Sequence, residues 1–150
     1  MIDYDSKSHR KLYNMSTEYH SKSHCKYMIK LHMIFVIKYR KPLMIGELDD
    51  DMKQIVYEIS QAEDSLFSIE TMESDKDHLH LLLDIEPTIS ATSIAQRIKQ
   101  MSTVRIWQKH SDTLKKQFWK ENTFWSDGYF VCSTGNANME TIKKYIEEQG

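Results

Sequence analysis

The sequence predicts an α+β domain built on one antiparallel sheet, and three observations lead there. The run Asp77-His-Leu-His-Leu-Leu-Leu-Asp84 alternates with strand period, so His78, His80, Leu82 and Asp84 share one face and Leu79, Leu81, Leu83 and Ile85 the other. Further β-branched and aromatic runs lie on either side of it in the chain. Between the runs, apolar residues recur at helical spacing.

Taken in order, residues 1–24 are polar, rich in Ser, His and Lys, and without a period. They are expected to form an arm outside a single domain spanning 25–150, with His9, His20 and His24 at the surface. Lys26 to Tyr39 predicts a strand with Lys30, His32 and Lys38 on one face and Leu31, Met33, Phe35 and Ile37 on the other. Residues 47–63 predict a helix through Met52, Ile55, Val56 and Ile59, with Glu47 and Asp49 to Asp51 placed to suit the dipole at its start. Leu66 to Met72 is a second strand, joined through Glu73-Ser-Asp-Lys76 to the histidine strand as a hairpin. Pro87 leads into a long helix from about Ser90 to His110, with Ile94, Ile98 and Met101 as its stripe, and a short amphipathic piece spans about Thr113 to Trp119. Residues 124–134 form the last strand. Gly135-Asn-Ala-Asn breaks the chain, and Asn138 caps a final helix from Met139 to Gln149. This βαββαβ order with an added helix is the ferredoxin-like, RRM-like pattern. Both long helices then cover one face of the sheet, leaving the histidines on the open one.

With 150 residues, 28% charged and 40% hydrophobic, the chain suits one globular domain with a real core. No apolar run reaches the roughly 20 residues of a membrane helix, the N-terminus lacks a signal-peptide h-region, and Cys25 and Cys132 are read as reduced thiols of a cytoplasmic protein. No phosphate-cradling glycine loop occurs, which argues against a nucleotide cofactor. The net charge of −2 hides a division. Residues 1–41 carry nine Lys/Arg against three acids and residues 97–120 seven against Asp112, whereas 47–77 carry eleven acids against Lys53 and Lys76. A basic surface for nucleic acid is therefore compatible with a near-neutral total. Lys30, Lys38, Arg40, Lys41, Arg97, Lys99 and Arg105 are its candidates, interleaved with Tyr39, Trp107 and Trp119 for stacking; for Trp107 core packing is the stronger expectation.

The chemistry rests on two pairs. His78 and His80 supply two imidazoles on an open face, half of a metal site. Tyr145 and Gln149 stand four apart on the last helix and share one side, flanking the stripe of Met139, Ile142 and Ile146. A phenol is a weak nucleophile at neutral pH, but beside a divalent cation it can attack a phosphodiester. Gln149 would offer its amide oxygen as a third ligand. Two imidazoles, an amide oxygen, phosphate and water suit Mg²⁺ or Mn²⁺ better than closed zinc.

The chain resembles the small HUH transposases with a single catalytic tyrosine, the IS-two-hundred/IS-six-hundred-and-five type of insertion-sequence enzyme. The resemblance runs from about His24 to Gln149. It is carried by His32-Met-Ile-Phe-Val-Ile-Lys-Tyr-Arg-Lys41, by Asp75-Lys-Asp-His-Leu-His-Leu-Leu-Leu-Asp-Ile-Glu-Pro87, by Phe124-Trp-Ser-Asp-Gly-Tyr-Phe-Val-Cys-Ser133 and by Thr141-Ile-Lys-Lys-Tyr-Ile-Glu-Glu-Gln149. It implies that His78, His80 and Gln149 hold the metal and that Tyr145 is the nucleophile. Single-stranded DNA would be cut through a 5′-phosphotyrosine with release of a 3′-OH, and joined by the reverse step. It also implies recognition of hairpins at element ends, and a homodimer whose last strands meet edge to edge and whose terminal helix can complete the partner's site, with Gly135 in the link before that helix. The chain ends one residue after Gln149, so its last turn is expected to fray. Two other readings stand beside this one: a decayed or domesticated module of the same fold that binds hairpins without cutting, and a plain ferredoxin-like metal-binding protein.

Overall fold

The computed structural model describes residues 3–5, 10–12, 19–22, 24–133 and 139–149. In chain order its strands are β1 (Asp3–Asp5), β2 (Arg10–Leu12), β3 (His20–Lys22), β4 (Cys25–Tyr27), β5 (Ile29–Val36), β6 (Phe67–Asp75), β7 (His78–Ile85) and β8 (Phe130–Ser133). Its helices are α1 (Gly46–Ser60), α2 (Ala91–Gln117) and α3 (Met139–Glu148), and a 3₁₀ turn spans Lys38–Arg40.

One antiparallel sheet runs β1-β2-β6-β7-β5-β8, and β3 and β4 form a separate hairpin. Its four long-range strands, β6-β7-β5-β8, have the ferredoxin-like order expected. β7 lies at the centre because its leucine face is continuous: Leu79, Leu81 and Leu83 are fully buried, each contributing roughly 1.5–3 kcal/mol of burial. Met33, Phe35 and Ile37 of the β5 run join them under α1 and α2, which bring Met52, Ile55, Val56 and Ile59 and then Ile94 and Ile98.

Polar bonds fix the helices. Ser90 caps α2 by accepting from Ser93 N at 3.1 Å. Lys53 is fully buried and donates to Asp49 at 3.2 Å, and Asp49 also accepts from Ser74 Oγ on β6 at 2.6 Å. Trp107 Nε1 donates to the Thr123 carbonyl at 2.8 Å and Trp125 Nε1 to Ser102 Oγ at 2.9 Å. These two bonds, with the Phe124–Trp125 ring contact at 4.7 Å, hold the segment before β8 against α2. Trp107 is therefore a core residue, as expected.

Several boundaries differ from the sequence reading. Within the 1–24 stretch read as an arm, β1 and β2 extend the sheet, with Lys11 opposite Met72 of β6, and β3 pairs with β4 just beyond that stretch. Strands of three residues are too short to show a period. The first long strand begins at Ile29 and ends at Val36, so Lys38 lies in the following turn and does not share the Lys30–His32 face. β6 continues to Asp75, leaving only Lys76 and Asp77 in the hairpin. The two expected C-terminal helical pieces are one element, α2, whose path breaks at His110 (φ −128°, ψ 33°). His110 Nε2 lies 2.6 Å from Asp51 Oδ2, which ties the break to α1. Among the described residues 124–133, Phe130–Ser133 forms the strand; upstream, a single bridge pairs Trp125 with Ile37. Gly135 and Asn138 lie outside the described residues.

Candidate active site

The face of the sheet opposite α1 and α2 carries His32 from β5 and both His78 and His80 from β7. Register sets their neighbours: His78 stands opposite Val36 and Asp75, His80 opposite Ile34 and Glu73, and His32 opposite Leu82 and Cys132. This face is not left bare. α3 packs on it, and Tyr145 and Ile146 cover Ile34, Val36 and Phe130. The Tyr145 and Phe130 ring centroids are 5.4 Å apart.

Between α3 and β7 lies a cleft of 630 Å³ lined by His78, His80 and Arg40. Glu73 and Asp75 line it from β6, Asp77 from the hairpin, and Glu140, Lys143, Ile146 and Glu147 from the helix. Its acids outnumber its bases, so it favours a cation and opposes a bare phosphate. His78 Nδ1 is 2.9 Å from Asp77 Oδ1. A carboxylate on the distal ring nitrogen is the outer-shell support typical of a ligating histidine. His80 Nε2 is 2.9 Å from His32 Nδ1, so one ring donates and the other accepts. Burial lowers the His32 pKa, with Glu73 opposing the shift, which keeps that ring neutral at pH 7. The sequence reading placed His32 on this strand face without linking it to His80; only the cross-strand register joins them.

Tyr145 and Gln149 occupy a different corner. A Cβ added to Gly128 would lie 3.5 Å from Gln149 Oε1 and 3.6 Å from Tyr145 Oη, so both side chains converge on that glycine at the β8 edge. Neither lines the histidine cleft. Tyr145 Oη is buried without a hydrogen-bond partner among the described residues, and burial pushes its pKa up to about 12. The structure thus brings His78 to His80 and Tyr145 to Gln149, with the two pairs on opposite flanks of α3.

The donor chemistry fits a divalent cation in part. His78 is oriented as a ligand would be, and the cleft is acidic; His80 Nε2 is engaged by His32, and Gln149 stands apart. Among the described residues no group of three or more His, Cys, Asp or Glu is arranged to hold a metal.

The basic residues divide between layers. Lys30 pairs with Glu70 at 2.6 Å and is largely buried. Lys38 binds Glu121 at 2.6 Å, Arg40 reaches Asp77 and the Glu147 carbonyl at 3.4 Å each, and Lys41 donates to Gln117 at 3.2 Å. Arg97, Lys99 and Arg105 lie on α2, in the helix layer. There Arg97 forks onto Asp64 at 3.1 and 2.8 Å, and Lys99 Nζ reaches the Asp127 and Gly128 carbonyls. Among the described residues these basic side chains do not form a single continuous stripe. No described helix is long and apolar enough to cross a membrane.

Comparison with known proteins agrees with this architecture. A family model described as "Transposase IS200 like" matches residues 25–149. The ISDra2 transposase TnpA of Deinococcus radiodurans is 32% identical over 123 residues, covering 82% of this chain and 85% of that protein. The transposase for insertion sequence element IS200 of Salmonella typhimurium is 29% identical over 131 residues, covering 86% and 82%. A solved Deinococcus radiodurans chain described as a transposase superposes with a TM-score of 0.76 at 25% identity, covering 87% of this chain and 96% of that one. A REP-associated tyrosine transposase bound to a REP hairpin shares the fold at TM-score 0.51 and 10% identity, over 85% and 69%. On the match across residues 25–149, the chain belongs to the IS200-like transposase family.

Proposed function

We propose that this transposase cuts and rejoins single-stranded DNA at hairpin-bearing element ends, with Tyr145 as nucleophile and His78, His80 and Gln149 around a Mg²⁺ or Mn²⁺ ion. The observation that carries the reading is the acid-lined cleft in which Asp77 orients His78 beside His80, roofed by the helix that bears the tyrosine. A hairpin partner is supported by the solved relative that binds one. A divalent ion at the imidazole pair would neutralise phosphate charge as the bridging bond breaks.

The chain's own residues would act as follows. The Tyr145 oxygen attacks phosphorus, a Tyr–O–P bond forms to the 5′ phosphate, and the P–O bond to the preceding 3′ oxygen breaks, freeing a 3′-OH. The phenol gives its proton to solvent and the departing 3′ oxygen takes one up from it, and in the present corner of Tyr145 burial opposes the first of these transfers. Attack therefore requires Tyr145 to quit the Ile34–Val36–Phe130 cluster and reach the cleft, by rotation of α3 or by its exchange with a second copy. β8 is the edge strand of the sheet, so its outer side can pair with another β8 in a homodimer.

The test is direct. Incubating the protein with a single-stranded hairpin oligonucleotide from an element end and Mn²⁺ should give a denaturant-resistant protein–DNA band. Tyr145→Phe should abolish that band while hairpin binding stays within about twofold, since one hydroxyl outside the binding surface is removed. An adduct that survives in Tyr145→Phe assigns the nucleophile elsewhere. A binding module without cleavage is the second reading, favoured by the seating of Tyr145 at Gly128 away from the histidines. Hairpin binding with no band under any divalent ion would establish it.

A further inference from the structure

The turn after β5 serves two cavities. Arg40 lines the histidine cleft, while its neighbours Tyr39 and Lys41 line a second cavity of 530 Å³ whose walls include Phe118, Trp119, Lys120 and Glu121. Two of its rings stand out to solvent: Tyr39 is 64% and Trp119 79% exposed. The other two tryptophans are buried and use their indole N–H groups inside the fold. Exposed rings of this size that line one concavity have apolar faces to offer a ligand.

The backbone beneath Tyr39 is strained. Tyr39 (φ 62°) and Arg40 (φ 50°) take consecutive left-handed conformations without glycine. Such strain persists only where the surroundings impose it, and it concentrates at ligand clamps. Here the bonds from Lys38 N to the Phe124 carbonyl at 2.9 Å and from Arg40 N to the Ile37 carbonyl at 2.8 Å impose it. The consequence is that Tyr39 is presented outward.

Ammonium groups accompany the rings. Lys120 Nζ lies 4.9 Å from the Trp119 centroid, Lys38 Nζ 5.7 Å from Tyr39, and Lys41 Nζ 5.8 Å from Phe118. Glu121 also lines the cavity, but it is bound to Lys38 at 2.6 Å. Lys41 hydrogen-bonds the neutral Gln117 amide, which leaves its charge uncompensated by that partner. Flat apolar faces with adjacent cations match one ligand chemistry closely: an unpaired nucleobase and its flanking phosphate.

We propose that this cavity is a base-stacking site for single-stranded DNA, separate from the histidine cleft. One unpaired base stacks on Trp119 and Tyr39 while Lys41 and Lys120 hold the phosphate next to it. Because Tyr39-Arg40-Lys41 is continuous, a strand leaving this cavity passes directly to the cleft that Arg40 shares. The proposal rests on DNA being the substrate, and it needs neither the metal nor Tyr145.

The test uses the full chain in EDTA, so that cleavage plays no part. A short oligothymidylate is compared with an abasic strand of the same length, which carries the same phosphates. Binding is followed by quenching of tryptophan emission and by gel shift. Stacking of one base predicts about tenfold tighter binding of the base-bearing strand, with quenching confined to that strand. In Trp119→Ala the preference should fall to within about twofold, while the salt dependence set by the lysines persists. Trp119→Phe, which keeps a ring, should restore much of the preference. Equal affinity of the native chain for both strands, or undiminished preference in Trp119→Ala, overturns the proposal. The two readings fail separately. A chain that discriminates bases but forms no covalent adduct keeps this site and loses the cleavage chemistry, and one that forms adducts without discriminating loses this site alone.

Discussion

Tyr145 shows how packing sets the state of a single hydroxyl. Its ring sits against Phe130 and closes the small cluster over Ile34 and Val36, while its hydroxyl is buried beside Gly128. Burial raises its pKa from 10.0 to about 12, so the folded state favours the neutral phenol. The sign follows. Below pH 10 the phenol is neutral whether or not α3 is docked, and the docking stability is intact; as pH rises from 10 towards 12 the undocked form ionises first and docking is lost. Absorbance at 295 nm should therefore show one tyrosine titrating late, coupled to loss of helical signal, and Tyr145→Phe should remove that step. An ordinary titration of every tyrosine would mean that Tyr145 is not buried. At this scale the sequence was legible wherever period sufficed. Alternation put His78 and His80 on the face opposite the leucines. It could not show His32 meeting His80, because Ile34, not His32, stands directly opposite His80 and the contact runs diagonally across two strands.

α3 is the element whose position decides what the face can do. It is seated by Ile146 and Tyr145, by the close approach at Gly128, and by Arg40, whose guanidinium reaches both Asp77 and the Glu147 carbonyl near the helix end. Arginine at a helix C-terminus also suits the dipole. Arg40 thus links the carboxylate that orients His78 to the helix that carries Tyr145. At Gly128 an added methyl would meet its neighbours at ordinary van der Waals distance, whereas a larger side chain would drive into Tyr145 and Gln149. Gly128→Ala should leave α3 seated. Gly128→Leu should unseat it at a cost of about 1–3 kcal/mol, read as roughly 5- to 150-fold faster amide exchange across residues 139–149. Unchanged exchange in Gly128→Leu would show that α3 is held from elsewhere. The amphipathic stripe of this helix was readable in the sequence. Its approach to Gly128 was not, because that contact joins segments on either side of β8. The break at His110, by contrast, was legible as the gap between two helical patterns, although a single element spans it.

At the scale of the whole molecule, the near-neutral charge resolves into separate fields rather than one basic stripe. The histidine cleft is acid-rich, so DNA approaching it meets repulsion unless a cation is bound. Arg40 and Lys143 are the Lys and Arg side chains that line it, whereas Arg97 is committed to Asp64 and Lys99 to backbone carbonyls in the helix layer. The sequence showed the charge runs but not this partition, since only the fold brings the 38–41 turn against residues 117–121 while Arg97 and Lys99 stay engaged in the helix layer. The partition makes a measurable claim about how DNA is held. Each phosphate contact to a single strand contributes roughly −0.7 to the slope of log K against log salt. Lys41→Ala should make that slope less steep by about 0.7 and weaken binding several-fold. Arg97→Ala should leave the slope within about 0.2 of the native value, because its guanidinium is already bound to the Asp64 carboxylate in the helix layer. An equal change of slope in both variants would mean that DNA wraps across the helix layer as well, and that the histidine face is only part of its path.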